Sequence, residues 1–397
     1  MLKRMSKLLL SFLLLFDIIF ASELDINEIS SKRYILYNMN ENKVLLKKGE
    51  NDRVSVASLT KIMTAIVAIE NIDNYNNTVV ITNEMLKDIA WDVAVTGFKV
   101  NEKVTYNDLL YATLLNSGAD AVNGLVFSVS KNTDEFVKLM NNKVNELKLK
   151  NTHFTNPIGL YDSENYSSAY DMAEILKYAL KNEKFKEVFS AYKYKLSNGK
   201  TVKRTVDEYG DKANIDLSYI QGAKTGYIKD AGYCLASIAN LSGVDYLLIT
   251  LNASIKGNHA VDSNKIYTYY GNNYSYKNIV NTDDFVVDLK TKYSSSKNIK
   301  IKSSVSLEKY LDNTFKKDDI IYEYTGLEVI DATKKYDIIG KVKVIYNDEV
   351  LDEFDLILNQ KLTLNFFGVV KKNLIYIVLF IIAIITAGSF FSKKKRV

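Results

Sequence analysis

"VASLTKIMTA", Val56 to Ala65, places Ser58 and Lys61 three residues apart at the start of an amphipathic run. Ile62, Met63, Ala65, Ile66 and Ile69 give that run an apolar face wide enough for a central core helix, expected from Ser58 to about Ile72. On a helix, positions three apart share a side, with Cβ atoms about 5–6 Å apart. A serine hydroxyl is a poor nucleophile until a base takes its proton. Lysine becomes that base only when burial or a nearby cation lowers its pKa. Taken alone, the spacing reads more simply as a helix N-cap followed by a surface lysine.

Two further stretches change that reading. "LLNSGADAV" presents Ser117 at a helix end, and "GAKTGY" presents Lys224, Thr225 and Gly226 on a strand entered from a loop. Lys224 would supply the cation that depresses the base, and Thr225 a hydroxyl for a substrate carboxylate. Gly226 would let the strand backbone approach the substrate closely. The ordered set S-x-x-K, S-x-[N] and K-T-G is the signature of penicillin-binding proteins and class A β-lactamases.

The surrounding chain supplies a mixed fold. "RYILYN" and "KVLLKK" flank "MNEN" as a hairpin. "TYNDLLYATLLNS", opened by the cap Thr105, "TDEFVKLMNNKVNELKL" and "YDMAEILKYALKN" read as helices. "YKYKLSNGKTVKRT" turns at Asn198-Gly199, and "GYCLASIAN" and "DYLLITLNAS" alternate around Gly243. Helices therefore cluster mid-sequence, and the sheet must join distant strands. From Tyr276 to Phe366 short alternating segments indicate a small all-β domain.

With these motifs the chain resembles the D-alanyl-D-alanine carboxypeptidases, the low-molecular-mass penicillin-binding proteins of the S11 serine peptidase type. "RYILYNMNENKVLLKKGENDRVSVASLTKIMTA", "LKNTHFTNPIGLYDSENYSSAYDMAEI" and "GAKTGYIKDAGYCLA" extend the likeness over roughly residues 30 to 275. The resemblance implies an α/β (α+β) penicillin-binding/serine β-lactamase-like transpeptidase fold with a C-terminal all-β domain and a single transmembrane helix. It also implies that Ser58 attacks the penultimate D-alanine of a peptidoglycan stem peptide and that Lys61 accepts the serine proton. Ser117, assisted by Lys224, would pass a proton to the leaving amine. Thr225 would hold the terminal carboxylate, and the N–H groups of Ser58 and Tyr227 would form an oxyanion hole. β-Lactams would acylate Ser58, and no metal or cofactor is implied. DD-endopeptidase activity, or a scaffold that binds penicillin without turnover, would use the same residues. For a β-lactamase, Glu164 is the available carboxylate, but it lies outside the setting those enzymes show.

Two departures stand out. Ala119 occupies the usual Asn position of the second motif, and Asp120 and Asn123 have the wrong spacing for a simple swap. Where related enzymes often place a carboxylate-binding arginine, "NASIKGNHAV" has Lys256, Asn258 and His259; Arg204 is another candidate. His153 reads as a structural loop residue and Cys234 as a small core hydrophobe. Two histidines and one cysteine make no convincing zinc set.

The 397 residues suggest two domains plus extras, and 47% hydrophobic content permits a sizeable core. Residues 1–21 read as a signal peptide, with Lys3, Arg4 and Lys7 before an apolar run. A catalytic domain over 22–275 and a β-rich domain over 276–366 follow. Residues 374–391 carry no charge and, at about 1.5 Å per residue, just span a bilayer core of roughly 30 Å. The basic tail 392–397 would lie in the cytoplasm, with the catalytic domain outside. The signal segment contributes +2 and the chain from Lys371 onward +6, so residues 22–370 carry −3 of the net +5. That balance offers no nucleic-acid surface.

Overall fold

A computed structural model describes residues 24–394 except Asp88 and Lys131. The expected signal peptide, residues 1–21, lies outside them. The chain divides into two compact units at Asn273/Tyr274.

The first unit is built on a five-stranded antiparallel sheet. In spatial order its strands are Lys43–Lys48, Arg33–Asn38, Val244–Ala253, Gly232–Leu241 and Ile220–Ile228. The hairpin around "MNEN" forms as expected and joins the late strands through pairs such as Ile35↔Ile249. The turn at Ser242-Gly243 has both residues at positive φ (+53° and +81°), which matches the twist of a tight hairpin. The Ile220–Ile228 strand is left at the sheet edge.

Helices Thr60–Glu70, Tyr106–Leu114, Ala119–Val129, Thr133–Glu146 and Ala169–Ala179 pack into one core with this sheet. All residues of Thr60–Glu70 except Glu70 are buried, so this is the central helix of the unit. It begins two residues later than expected, because Ala57–Leu59 forms a 3₁₀ turn first. Thr105 caps its helix through a reciprocal capping box with Asp108. Phe136, Met140 and Val144 form the buried stripe of Thr133–Glu146.

The last helix of this unit, Asn258–Asn273, has no counterpart in the sequence reading. Its buried side includes His259, Asp262 and Ser263, so hydrophobic periodicity does not mark it. The Asp262 carboxylate accepts hydrogen bonds from Ser30 N (3.0 Å), Ser31 N (2.7 Å) and Ser31 Oγ (2.6 Å). It thereby pins the chain leading into the first strand.

The second unit contains strands between Tyr274 and Ile357, including the antiparallel set Ile321–Gly326, Ile338–Tyr346 and Glu349–Ile357. Its own core includes Ile301, Ile330, Val342, Val344 and Leu356. Among the described residues no single helix is long and apolar enough to cross a membrane. The pair Phe366–Lys372 and Leu374–Gly388 meets that length and composition together, bent by 66°.

Replacing Asp262 by Ala should leave the two buried donors of Ser31 and the half-buried Ser30 N–H unpaired and destabilise the first unit by roughly 3 kcal/mol. A lowered Tm, with acylation by penicillin intact in the folded fraction, is the expected outcome.

Candidate active site

The turn that carries Ser58 is shaped by close backbone approaches. Ala57 has φ +48°, a left-handed conformation uncommon outside glycine. Against it lies the loop around Pro157–Leu160. A Cβ on Gly159 would stand 2.0 Å from the Ala57 carbonyl oxygen, so only glycine fits there. The Asn156 side chain organises this loop by accepting from Gly159 N (2.8 Å) and Leu160 N (2.9 Å). Thr64 Oγ1 ties it to the central helix by donating to the Pro157 carbonyl (2.7 Å).

Lys61 Nζ lies 2.9 Å from Ser58 Oγ and donates to the Ile158 carbonyl at 2.8 Å. Lys61 is only 2% exposed. Burial, and then the charge of Lys224, hold its amine well below the ordinary lysine range. Lys224 is buried too and donates to the Thr225 carbonyl at 2.7 Å. Burial brings its pKa down to about 7.

Gly226 shows how the edge strand reaches Ser58. A Cβ here would lie 3.0 Å from Ser58 N and 3.2 Å from the Val56 carbonyl oxygen. The strand thus passes within contact distance of the turn that carries Ser58.

Ser117 sits between helices Tyr106–Leu114 and Ala119–Val129 with φ +62°. Among the described residues its hydroxyl has no hydrogen-bond partner. The junction is fixed by its neighbour Asp120, whose carboxylate accepts from Thr96 N (2.8 Å), Gly97 N (2.7 Å) and Phe98 N (3.0 Å). Ala119 N donates to the Ala94 carbonyl at 2.8 Å. Asn123 donates to the Met85 carbonyl at 2.8 Å. Neither Asp120 nor Asn123 therefore replaces the amide that Ala119 lacks.

These groups meet in one cleft of about 460 Å³, lined by Ser58, Lys61, Ser117, Thr225, Gly226 and Tyr227. Lys224 lies beneath it, buried on the same strand. Thr205, Glu208 and Tyr209 join the lining from a segment that the motifs did not mark. A more open hollow of about 530 Å³ beside Arg204 and Asp207 contains none of the motif residues.

None of the four suspected carboxylate partners lines the cleft. Arg204 is committed to Asp207 (2.9 and 2.7 Å) and to the Ile220 carbonyl (2.7 Å). Lys256 is exposed, and Asn258 begins the last helix of the unit. His259 is fully buried between the rings of Tyr209 and Tyr233, at 4.5 and 5.6 Å, with neither ring nitrogen hydrogen-bonded. Burial lowers its pKa to about 4, so it is neutral at pH 7. His153 serves its loop, with Nδ1 donating to the Glu164 carbonyl at 2.7 Å. Cys234 is a buried strand residue whose thiol pKa is pushed up to about 12 by burial.

A serine and a buried lysine in contact, with a second buried lysine and an edge strand beside them, define a serine acyl-transfer site. Comparison with known proteins gives the family. The D-alanyl-D-alanine carboxypeptidase family, Peptidase S11, matches residues 20–255. This chain belongs to that family. It is 29% identical to a D-alanyl-D-alanine carboxypeptidase of Bacillus subtilis, over 69% of this chain and 70% of that protein. It is 33% identical to a D-alanyl-D-alanine endopeptidase of Haemophilus influenzae, over 52% of this chain and 70% of that protein. The structure of penicillin-binding protein 5 from Haemophilus influenzae shares the fold, with TM-score 0.61 and 23% identity over 85% of this chain and 98% of the other. The Streptomyces K15 DD-transpeptidase aligns with TM-score 0.55 and 28% identity over 61% of this chain and 97% of the other.

Two outcomes follow from this geometry. Gly226→Ala should push the edge strand from Ser58 and slow penicillin acylation about a hundredfold, with a near-normal melting curve. In wild type, acylation should fall as pH drops and Lys61 becomes protonated. Lys224→Ala removes the like charge that disfavours this protonation, so the fall should begin at higher pH. Acylation rates measured across the neutral range test both statements.

Proposed function

We propose that the chain is a serine D-Ala-D-Ala carboxypeptidase working through an acyl-enzyme on Ser58. The observation that carries this reading is the 2.9 Å contact between Ser58 Oγ and a desolvated Lys61 amine. Neutral Lys61 takes the Ser58 proton as Oγ attacks the carbonyl carbon of the penultimate D-alanine. Backbone N–H groups of Ser58 and Tyr227 hold the oxyanion. Ser117, assisted by Lys224, passes a proton to the leaving nitrogen as the C–N bond breaks and D-alanine departs. The proton taken by Lys61 restores Ser117, and neutral Lys61 then takes a proton from the water that attacks the ester and returns it to Ser58 Oγ as the acyl–oxygen bond breaks. Thr225 receives the substrate's terminal carboxylate. Endopeptidase action is the same acyl transfer with a longer leaving group, and the Haemophilus influenzae relative bears that name.

The enzyme works outside the cytoplasmic membrane in this reading. Residues 1–21 would direct export, and the bent apolar pair with the basic tail would anchor the C-terminus. The β-rich residues 276–366 lie in sequence between catalytic unit and anchor, as a spacer would.

D-alanine release from a stem pentapeptide by residues 22–370 tests the activity. Ser58→Ala should lower release by at least about a thousandfold and abolish covalent penicillin labelling. Labelling that persists in this variant rules out Ser58 as nucleophile. Full-length protein should sediment with membranes, while the chain ending at Val370 should remain in the supernatant.

A further inference from the structure

Thr205 stands where the chain enters helix Val206–Ala213, at the position that caps a helix. A threonine there ordinarily takes an extended backbone and accepts from the first-turn N–H groups. Thr105 does this for its own helix. Thr205 does not. Its backbone is already helical (φ −75°, ψ −23°), and its side chain makes no capping bond. Its Oγ1 instead lies 2.5 Å from Thr225 Oγ1, and both residues line the cleft that holds Ser58. The hydroxyl is turned from its local structural role toward the site.

The surroundings explain what such a pair would replace. Arg204 is neutralised by Asp207 and turned to the Ile220 carbonyl. His259 is buried and neutral. Among the described residues that line the cleft, Lys61 is the sole basic side chain, and its amine faces Ser58; Asp92 and Glu208 add carboxylates. A leaving group bound at Thr225 therefore meets hydroxyls where a guanidinium is absent.

We propose that Thr205 and Thr225 form a two-hydroxyl cradle for the C-terminal group of the leaving residue, and that it accepts a carboxamide as well as a carboxylate. This inference rests on the carboxypeptidase reading above. In the free site one hydroxyl donates to the other; once that bond opens, the two protons can serve the two oxygens of a carboxylate. Each hydroxyl also accepts, which a guanidinium does not. One threonine can donate to the carbonyl of a terminal amide while the other accepts from its NH₂. Stem peptides with an amidated C-terminus thus join the substrate class.

The test uses the full-length chain in detergent and three peptides of one sequence. One ends in D-Ala-D-Ala as the free acid and one as its amide. In the third, an ethyl ester replaces the last residue and offers the cradle nothing to bind. The wild type should process acid and amide with kcat/KM values within about tenfold. Thr205→Val should raise KM about tenfold for the acid and severalfold for the amide, with kcat little changed. Ethyl ester turnover should be unaffected, and Thr205→Ser should restore the wild-type values.

An equal loss on all three peptides would make Thr205 a structural residue and overturn the proposal. A wild type that rejects the amide by a thousandfold or more would overturn it too. If the wild type releases no D-alanine, the carboxypeptidase reading fails, yet penicillin acylation still reads the cradle through the drug's carboxylate. Acylation about tenfold slower in Thr205→Val and recovered in Thr205→Ser supports the cradle; an unchanged rate refutes it.

Discussion

The site depends on keeping Lys61 out of water. An ordinary lysine is protonated at neutral pH and has no lone pair to offer a serine. Here the amine sits at the base of the cleft, closed in by the central helix, the edge strand and the Ile158 carbonyl. Lys224 adds a second, like charge to the same poorly hydrated space. Desolvation and repulsion act in the same direction, and together they make an amine basic enough to take a proton yet free to do so.

That arrangement demands tight backbone packing, and the chain meets the demand at a few positions. Gly159 and Gly226 let two segments approach the Ser58 turn more closely than any side chain would permit. Ala57 and Ser117 accept left-handed backbone without glycine's freedom. Such conformations persist only when their surroundings over-determine them. Around Ser117, Asp120 provides this by binding three consecutive N–H groups of the Thr96–Phe98 segment. The missing amide at Ala119 therefore leaves the frame of the second motif in place.

What the sequence reveals and what it conceals divide along physical lines. The hairpin at Arg33–Lys48, the central helix and the three motifs are local patterns carried by adjacent side chains. They were legible because period, turn residues and reactive groups coincide in short stretches. The Asn258–Asn273 helix was not, since its buried side carries His259, Asp262 and Ser263 as well as tyrosines. The Ile158 carbonyl was equally hidden, because a backbone acceptor has no residue identity. Thr205 carries no local mark in the sequence, because its partnership with Thr225 spans a turn and a helix. Arg204 stands out in the sequence by its charge, but its bonds to Asp207 and Ile220 hold that charge away from the cleft.

The depressed lysines also tie the protein's proton balance to its folding. Lys224 titrates near 7 in the folded chain and near its ordinary value, 10.5, once unfolded. Between those values the unfolded chain binds the extra proton, so stability rises with pH across that window. Below about pH 7 both states are charged, and the cost of burying that charge falls fully on the native fold. Unfolding at neutral pH therefore draws protons from solution. The buffer thus becomes a reporter of whether Lys61 and Lys224 remain buried, even when no substrate is present.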